Sequence, residues 1–439
     1  MEKINPFTYL YYHLYLLQLE EYDLGRFLKI IALTKGIPQS QLRKELVWTH
    51  KIRLISTITI CLVLFLMIFS SVIFIFLLYV SFLPITLVVI LLSPLDSFLK
   101  KSRIEKAKQI LSRYPNLKIV GIAGSYGKTT MKEVTNAILE QKYIVLKTPE
   151  NINTPLGIAD LVIKKLNEKT EVFIVEMGEY KRNDISEICS MVKPQTAIIT
   201  GINEAHLERM GTIENTTTTI FEIAEHMDQK GLLVLNGDNE LIVKNYKKYV
   251  TTQKVELVSS KNDPHLQSGL LARYARGVLQ AGAAVGKYLG LTDEQIRQGA
   301  LSIKPLPHRL EPINGAQGVL VIDDSYNGNP EGVKEAIYLL STYEKRRKVY
   351  ITPGLVETGQ KTEAIHKEIG KELSSVADLV VLIKNSATPF IAEGLLKNGF
   401  KEENIRWYET AAAAHADMGS IVEPNDVVLF QNDWPDNYK

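Results

Sequence analysis

The residues of this chain best suited to chemistry sit close together at Gly124–Thr130, GSYGKTT, directly after the apolar run LKIVGIA. Two glycines, a lysine and two threonines at this spacing can form an anion cradle. Gly124 and Gly127 allow the backbone to turn tightly, and a following helix would aim its N–H groups outward. Lys128 supplies a point charge, and Thr129 or Thr130 offers a hydroxyl to Mg²⁺. Ser125 and Tyr126 complete a candidate nucleotide-binding loop. The usual phosphate-loop spacing, G-x-x-x-x-G-K-[ST], is not met, because Ile122 stands where its first glycine would be. An ordinary glycine turn between strand and helix is the alternative reading. Further along, Glu176 and His206 each follow an apolar run. By spacing alone they read equally as a solvated strand-end acid and a helix-start histidine. Asn151 and Asn153, in NINTP, read equally as a turn before a helix.

The elements that must position these residues alternate. LKIVGIAG, YIVLKT, EVFIVEMG, TAIITGI and GLLVLNGD have the pattern of buried strands. TTMKEVTNAILEQ, PLGIADLVIKKL, DISEICSMV and ENTTTTIFEIAEHM lie between them with helical periodicity. Such alternation predicts a parallel sheet covered on both faces, with ligands at the carboxyl ends of its strands. Past Arg309 the alternation restarts with GVLVIDDS, PEGVKEAIYLL, KVYITPG, EAIHKEIGKEL, ADLVVLI, PFIAEGLLKNG and DVVLFQND. A helical stretch from Gly269 to Pro307, punctuated by glycine and proline, separates the two series. The expected architecture is therefore α/β: a P-loop-type parallel-sheet domain over 113–306 and a Rossmann-like domain over 307–439.

The front of the chain differs in kind. Leu54–Pro94 contains no charged residue, roughly twice the ~20 residues one membrane-spanning helix needs. A hairpin of two spans over 53–95 fits better than one long helix, with its turn at Ser70-Ser71 or between Tyr79 and Pro84. Arg43, Lys44, Lys51 and Arg53 precede the run, and Lys100, Lys101, Arg103, Lys106 and Lys108 follow it, which places both ends in the cytoplasm. A linker helix is expected over 96–112. Residues 1–52 mix aromatic, leucine-rich and basic turns, and read either as an interfacial amphipathic helix pair or as packing against the soluble part. The formal charge of +2 in 439 residues argues against a nucleic-acid partner. Two cysteines, Cys61 and Cys189, exclude a disulfide framework and fit a reducing compartment.

The ordered set of GSYGKTT, NINTPLG, VEMG, NEAHLE, NGDN, HRLE and DDSYNGNP resembles the Mur ligase superfamily over about 113–439. The pair HRLE and DDSYNGNP is most similar to its MurF type, which adds D-alanyl-D-alanine to a muramoyl tripeptide. The resemblance implies an ATP-dependent ligase of cell-wall precursors. ATP phosphorylates a carboxylate, and an amine then attacks the acyl phosphate. Because two anions must meet, cationic charge has to be concentrated between them.

On this resemblance Lys128 holds the β and γ phosphates and Thr129 meets Mg²⁺, with Glu176 and His206 as further magnesium ligands. Asn151 and Asn153 line the cleft. Arg309 reaches ATP, Asp324 meets its ribose or phosphates, and Asn327 and Asn329 shape the same loop. Lys128, His206 and Arg309 are the expected catalytic residues. The implied partners are ATP, a UDP-linked or lipid-linked muramoyl peptide, an amine such as D-Ala-D-Ala, and the inner face of the cytoplasmic membrane. Several positions depart from the family pattern. Ile220 stands where a carbamylated lysine is common, Gly201 where an asparagine is, and Tyr274-Ala275 where His-Asn is. The stretch between Leu257 and Leu270 is short, and the hairpin replaces a soluble uridine-nucleotide domain. A membrane-anchored ATP-binding scaffold, or a ligase of another polymer such as poly-γ-glutamate, are the alternative functions.

Overall fold

The computed structural model describes residues 5–38, 45–67, 71–150, 152–203, 210–261, 266–326, 328–356 and 358–432, and the chain divides into two compact units between Ser102 and Arg103.

In the first unit, α1 (Pro6–Leu19) starts from Asn5, whose side chain accepts the Phe7 N–H, and α2 (Leu24–Thr34) starts from Asp23, which accepts that of Arg26. These are ordinary N-caps. The two helices differ in character. α2 buries one face, Phe27, Ile30 and Ile31, whereas α1 buries six consecutive residues from Tyr12 to Leu17. Over that second half α1 is buried on every side, which differs from the amphipathic pair that is one of the two readings of residues 1–52. Its neighbours are α3 (His50–Met67), α4 (Ser71–Tyr79) and α5 (Phe82–Leu111), which share one apolar cluster with it. Lys51 near the start of α3 pairs with Asp96 of α5 at 2.6 Å, so the apolar stretch folds back on itself. Its path is broken again at Val80-Ser81, between α4 and α5. Among the described residues one helix, Phe82–Leu111, is long and apolar enough to cross a membrane.

The second unit holds two sheets. The first has the order β2-β3-β1-β4-β5-β6 and is parallel throughout: β1 Lys118–Ala123, β2 Val145–Lys147, β3 Val172–Glu176, β4 Thr196–Ile199, β5 Leu232–Asn236 and β6 Lys254–Val258. One face is covered by α7 (Pro155–Lys165), α8 (Asp184–Val192) and α9 (Ile213–His226), the other by α6 (Lys128–Leu139), α11 (Ala275–Tyr288) and α12 (Asp293–Leu301); α10 (Glu240–Asn245) follows β5. The end of α5 joins this domain through Ile104, Ala107 and Leu111, with Arg103 on Asp160 of α7 at 2.9 Å.

The second sheet has the order β11-β10-β9-β12-β8-β7: β7 Glu311–Asn314, β8 Leu320–Asp324, β9 Lys348–Thr352, β10 Leu379–Ile383, β11 Ile405–Tyr408 and β12 Val427–Gln431. Only β7 runs antiparallel. α13 (Pro330–Ser341), α14 (Thr362–Ser374) and α15 (Thr388–Lys397) pack beside it. The α/β class and the parallel first sheet are as the sequence indicates, and the second sheet departs from parallel only at β7.

The threonine run of α9 forms helix despite its poor propensity. Thr212 caps it by accepting the Asn215 N–H, and Thr217 returns its hydroxyl to the Ile213 carbonyl at 2.8 Å. Packing decides the outcome, because Ile220, Phe221, Ile223 and Ala224 are all fully buried against the sheet. Ile220 is thus a core residue and brings no ligand atom to the site. Truncating it as Ile220→Ala is expected to cost about 2–4 kcal/mol, lowering the midpoint of the second unit's thermal unfolding by several degrees; an unchanged midpoint would show that α9 does not depend on this contact.

Candidate active site

The GSYGKTT loop runs from the end of β1 into α6, with Gly124 at φ 144° and Gly127 at φ 75°. A side chain at Gly124 would put its Cβ 2.2 Å from Thr200 Oγ1, so that position needs glycine for space as well as for conformation. The loop is fixed to the segment after β4. Ser125 N–H donates to the Gly201 carbonyl at 2.8 Å, Asn203 N–H donates to Ser125 Oγ at 3.3 Å, and the Thr200 hydroxyl donates to the Tyr126 carbonyl.

Gly201 has a direct reason to lack a side chain, since a Cβ there would lie 2.2 Å from Tyr126 Cζ. The Tyr126 ring fills that space, and its hydroxyl accepts Asn239 Nδ2 at 3.2 Å. Burial holds the Tyr126 phenol up at about 12. The departure at Gly201 and the Tyr126 ring in the loop are thus one packing arrangement.

The charged groups lie on α6 and on the end of β3. Thr129 Oγ1 donates to Glu176 Oε1 at 3.3 Å. Lys132, one turn beyond Lys128 and fully buried, places its ammonium 3.1 Å from Glu176 Oε2. That contact has the distance but not the direction of a hydrogen bond, which leaves Oε2 without a donor. Lys128 Nζ donates to the Gly124 carbonyl and to both oxygens of Glu179, at 3.0 and 2.9 Å. Neither Lys132 nor Glu179 was picked out by motif. The i,i+4 spacing from Lys128 was the available signal for Lys132; for Glu179 there was none beyond its nearness to VEMG.

A cavity of about 920 Å³ opens beside the loop, with Tyr126, Gly127, Thr130, Asn236 and Asp238 on one side and Tyr274, Arg309, Asp324, Tyr326 and Asn329 on the other. Loop and second domain therefore face a common space. Asn203 reaches across to Glu331 and to Asn329 Oδ1. Asn329 also caps α13, accepting the Gly332 N–H at 3.1 Å. The Arg309 guanidinium lies 5.0 Å from the centre of the Tyr326 ring. Asp324 accepts from the Leu310 N–H and from Gln431 Nε2, each at 3.2 Å. Burial pushes its carboxyl up to about 7, against the hydrogen bonds from Gln431 and Leu310 and the charge of Arg309. Burial likewise lifts the Tyr274 hydroxyl to about 12.

Of the residues selected from the sequence, Gly124 to Thr130 and Glu176 come together at the loop, and Arg309 and Asp324 line the cavity beside it. Asn151, His206 and Asn327 lie outside the described residues. Asn153 accepts from the Tyr180 hydroxyl at 3.3 Å. Metal-ligating side chains also gather at His308, Glu311 and Asp323. There, however, His308 Nδ1 already meets Asp323 at 2.7 Å and Glu311 accepts the His308 N–H, so the set closes on itself as a turn.

The raised pKa of Asp324 gives a pH-dependent stability of known sign. Its folded value lies above the ordinary 3.8, so the neutral carboxyl favours the fold fully below about pH 4, and the advantage is lost as pH rises toward about 7. An Asp324→Asn variant, neutral throughout, is expected to gain in melting temperature relative to the wild type between pH 5 and pH 8. A constant difference across that range would contradict the assignment.

Comparison with known proteins gives the family. The Mur ligase middle domain matches residues 122–276, and the Mur ligase glutamate ligase domain matches 308–431. The UDP-N-acetylmuramoyl-tripeptide–D-alanyl-D-alanine ligase of Bacillus subtilis is 28% identical over 333 residues, covering 72% of each chain. That of Escherichia coli is 26% identical over 279 residues, and the match covers 58% of this chain and 61% of the relative. MurF of Thermotoga maritima, solved in complex with ADP, shares the fold with a TM-score of 0.66 at 23% identity, over 76% of this chain and 80% of that one. MurF from Acinetobacter baumannii gives the same TM-score of 0.66 at 20% identity, over 76% and 77%. With the two Mur ligase domains matched in order, the loop and its charged cluster within the first and a cavity lined by both, the chain belongs to the Mur ligase family and is MurF-like.

Proposed function

We propose that this protein is an ATP-dependent ligase that joins an amine of the D-alanyl-D-alanine type to the carboxylate of a muramoyl peptide, working at the inner face of the cytoplasmic membrane. The observation that carries the reading is the shared cavity, walled by the phosphate-loop residues of one α/β domain and by Arg309 and Asp324 of the other. A ligase of this kind must bring nucleotide and acceptor together away from water, and a cleft between two domains does so.

In the reaction, an acceptor carboxylate oxygen attacks the γ-phosphorus of ATP and ADP leaves. The amine nitrogen then attacks the acyl carbon, phosphate departs and the amide forms after loss of a proton. Lys128 at the head of α6 offers an ammonium to the phosphates, together with the N–H groups of the loop and first turn. Arg309 brings a guanidinium from the opposite wall, where it can follow charge onto the transferred group. Asp324 is held by Leu310 and Gln431 at the cavity edge, a position suited to a ribose hydroxyl. The magnesium site has a matching donor set: Thr129 Oγ1 and Glu176 are hard oxygen ligands, and Glu176 Oε2 is buried without a hydrogen bond. Magnesium there would neutralise phosphate charge as the phosphoryl group moves. His206 is the further ligand suggested by the family pattern.

The membrane seat is supported by α5. Leu83, Leu87, Ile90, Leu91, Leu95 and Phe98 are exposed on it, and only 22% of its most apolar window is buried. A water-soluble core helix would hide such residues. This favours an acceptor that is itself near the membrane, so UDP-linked and lipid-linked muramoyl peptides are both to be offered to the full-length protein.

With ATP, Mg²⁺, D-alanyl-D-alanine and a muramoyl tripeptide precursor, the expected product is the corresponding pentapeptide, identified by mass. Lys128→Ala is expected to lower the rate about 10²-fold or more. ATP binding with no acceptor-stimulated phosphate release would instead leave a nucleotide-binding scaffold. In cell fractions, the protein should stay with membranes through an alkaline carbonate wash and come off with detergent; release by salt alone would remove the membrane seat.

A further inference from the structure

Glu179 is the group that holds Lys128. Both of its carboxylate oxygens lie within hydrogen-bonding distance of Nζ, at 3.0 and 2.9 Å, and the two side chains are 2% and 11% exposed. A pair removed from water to this degree persists only as a pair, because withdrawing either partner leaves an uncompensated buried charge. The place Glu179 takes is the one a phosphate would need. Lys128 is the first residue of α6, and a carboxylate and a phosphate compete for an ammonium as the same kind of charge-assisted acceptor.

The surroundings determine what must happen when phosphates displace it. Lys132 is fully buried, and the charges it approaches are Glu176 at 3.1 Å and Glu133 at 3.8 Å. Glu133 is itself paired with Lys147. Lys132 is therefore committed to Glu176. Beyond Lys128, none of the ion pairs described for Glu179 supplies a second lysine or arginine. A triphosphate that took Lys128 would leave Glu179 buried, next to an added polyanion. The remedy is a cation arriving with the nucleotide.

Resting on the ATP-binding reading above, we propose that Glu179 gates the site. Its carboxylate occupies the phosphate position on Lys128, and it yields that lysine only to a nucleotide that brings a divalent cation, which then becomes the counter-ion of Glu179. The protein thereby selects metal-complexed ATP over free ATP before any chemistry begins. Glu179 supplies the cation with a second carboxylate besides Glu176.

The test is a binding measurement, independent of turnover. Full-length wild type, Glu179→Gln and Lys128→Ala are titrated with a fluorescent ATP analogue, once in EDTA and once in excess Mg²⁺. In EDTA, Glu179→Gln is expected to bind roughly tenfold or more tightly than wild type, because the variant no longer neutralises Lys128. In Mg²⁺ that advantage should vanish or reverse, so that the metal strengthens binding far more in the wild type than in the variant. Equal affinities in EDTA, or an equal metal effect on both proteins, would overturn the gate and leave the nucleotide site standing. Wild type that fails to bind in either condition, like Lys128→Ala, would overturn the nucleotide reading and the gate with it. The thermal unfolding midpoint of Glu179→Gln checks that it is folded. Should the amide not be tolerated, Glu179→Ala takes its place in the same titrations.

Discussion

Four charged side chains, Lys132, Glu176 and Glu179, which are buried, and Lys128, which is nearly so, meet at the carboxyl ends of β1 and β3, and the cost of keeping them out of water governs the site. Each ion removed from bulk solvent costs several kcal/mol even after relaxation (order of magnitude), so each must find an opposite charge in a fixed place. The i,i+4 spacing of the two lysines sets both on one face of α6. The end of β3 and the loop after it bring two carboxylates to that face, Glu176 for Lys132 and Glu179 for Lys128. The result is neutral in sum but incompletely hydrogen-bonded, with Glu176 Oε2 and Lys132 Nζ both lacking a well-directed partner. An unfinished polar network of this sort is costly to stability and is found where a ligand completes it.

That cluster can exist only if the loop ahead of α6 keeps its shape. Thr200 and Gly201 hold it, one by hydrogen bonds to the Ala123 and Tyr126 carbonyls and the other by making room for the Tyr126 ring. The same short segment continues to Asn203, which reaches Ser125 on one side and Glu331 and Asn329 on the other. Because Asn329 caps α13, the N-terminal end of a helix in the second domain is tied to the loop of the first. Arg309 and Asp324 then face the cavity from a wall whose position depends on this tie. Between them and the first domain lies a linker in which His308 and Leu310, on either side of Arg309, have φ values of 58° and 51°. Neither is a glycine, so the turn that presents Arg309 is a conformation the surrounding contacts have to maintain.

The sequence made the central parts of this arrangement legible because their signals are local. Strands such as LKIVGIAG and EVFIVEMG are continuous apolar runs that only a doubly covered parallel sheet can bury, and GSYGKTT sits between a strand and a helix. What escaped was at the edges. β6, β7 and β11, KVELV, EPIN and IRWY, are edge strands in which charged, polar or proline residues interrupt the apolar pattern. β7 needed its turn rather than its composition to be recognised, with Gln317 and Gly318 both at positive φ. The threonines of α9 are poor helix formers, and tertiary burial of Ile220 and Phe221 overrides that propensity. Glu179 was illegible for a different reason. A carboxylate beside a glycine looks solvated in sequence, and only the path of the chain after β3 brings it under α6.

The proposed membrane seat of the first unit rests on a similar balance of burial and satisfaction. His13 is fully buried, and its Nε2 faces the Gly36 carbonyl at 3.0 Å. A carbonyl can only accept, so Nε2 carries the hydrogen and Nδ1 is left to accept from the Ser81 hydroxyl at 2.7 Å. Gln18 likewise spends its amide on the backbone of Val47 in both directions, at 2.7 and 2.8 Å. These polar groups are matched within the unit, as an apolar environment demands. Yet the apolar side chains are not confined to its interior: the second half of α1 is buried on all sides, while α3, α4 and α5 expose Phe65, Phe76 and Leu91. A bundle in water turns its apolar stripe inward and leaves a polar face outside. An apolar outer face over an apolar core is the feature on which the membrane seat is proposed, since an apolar medium would cover it where water would not.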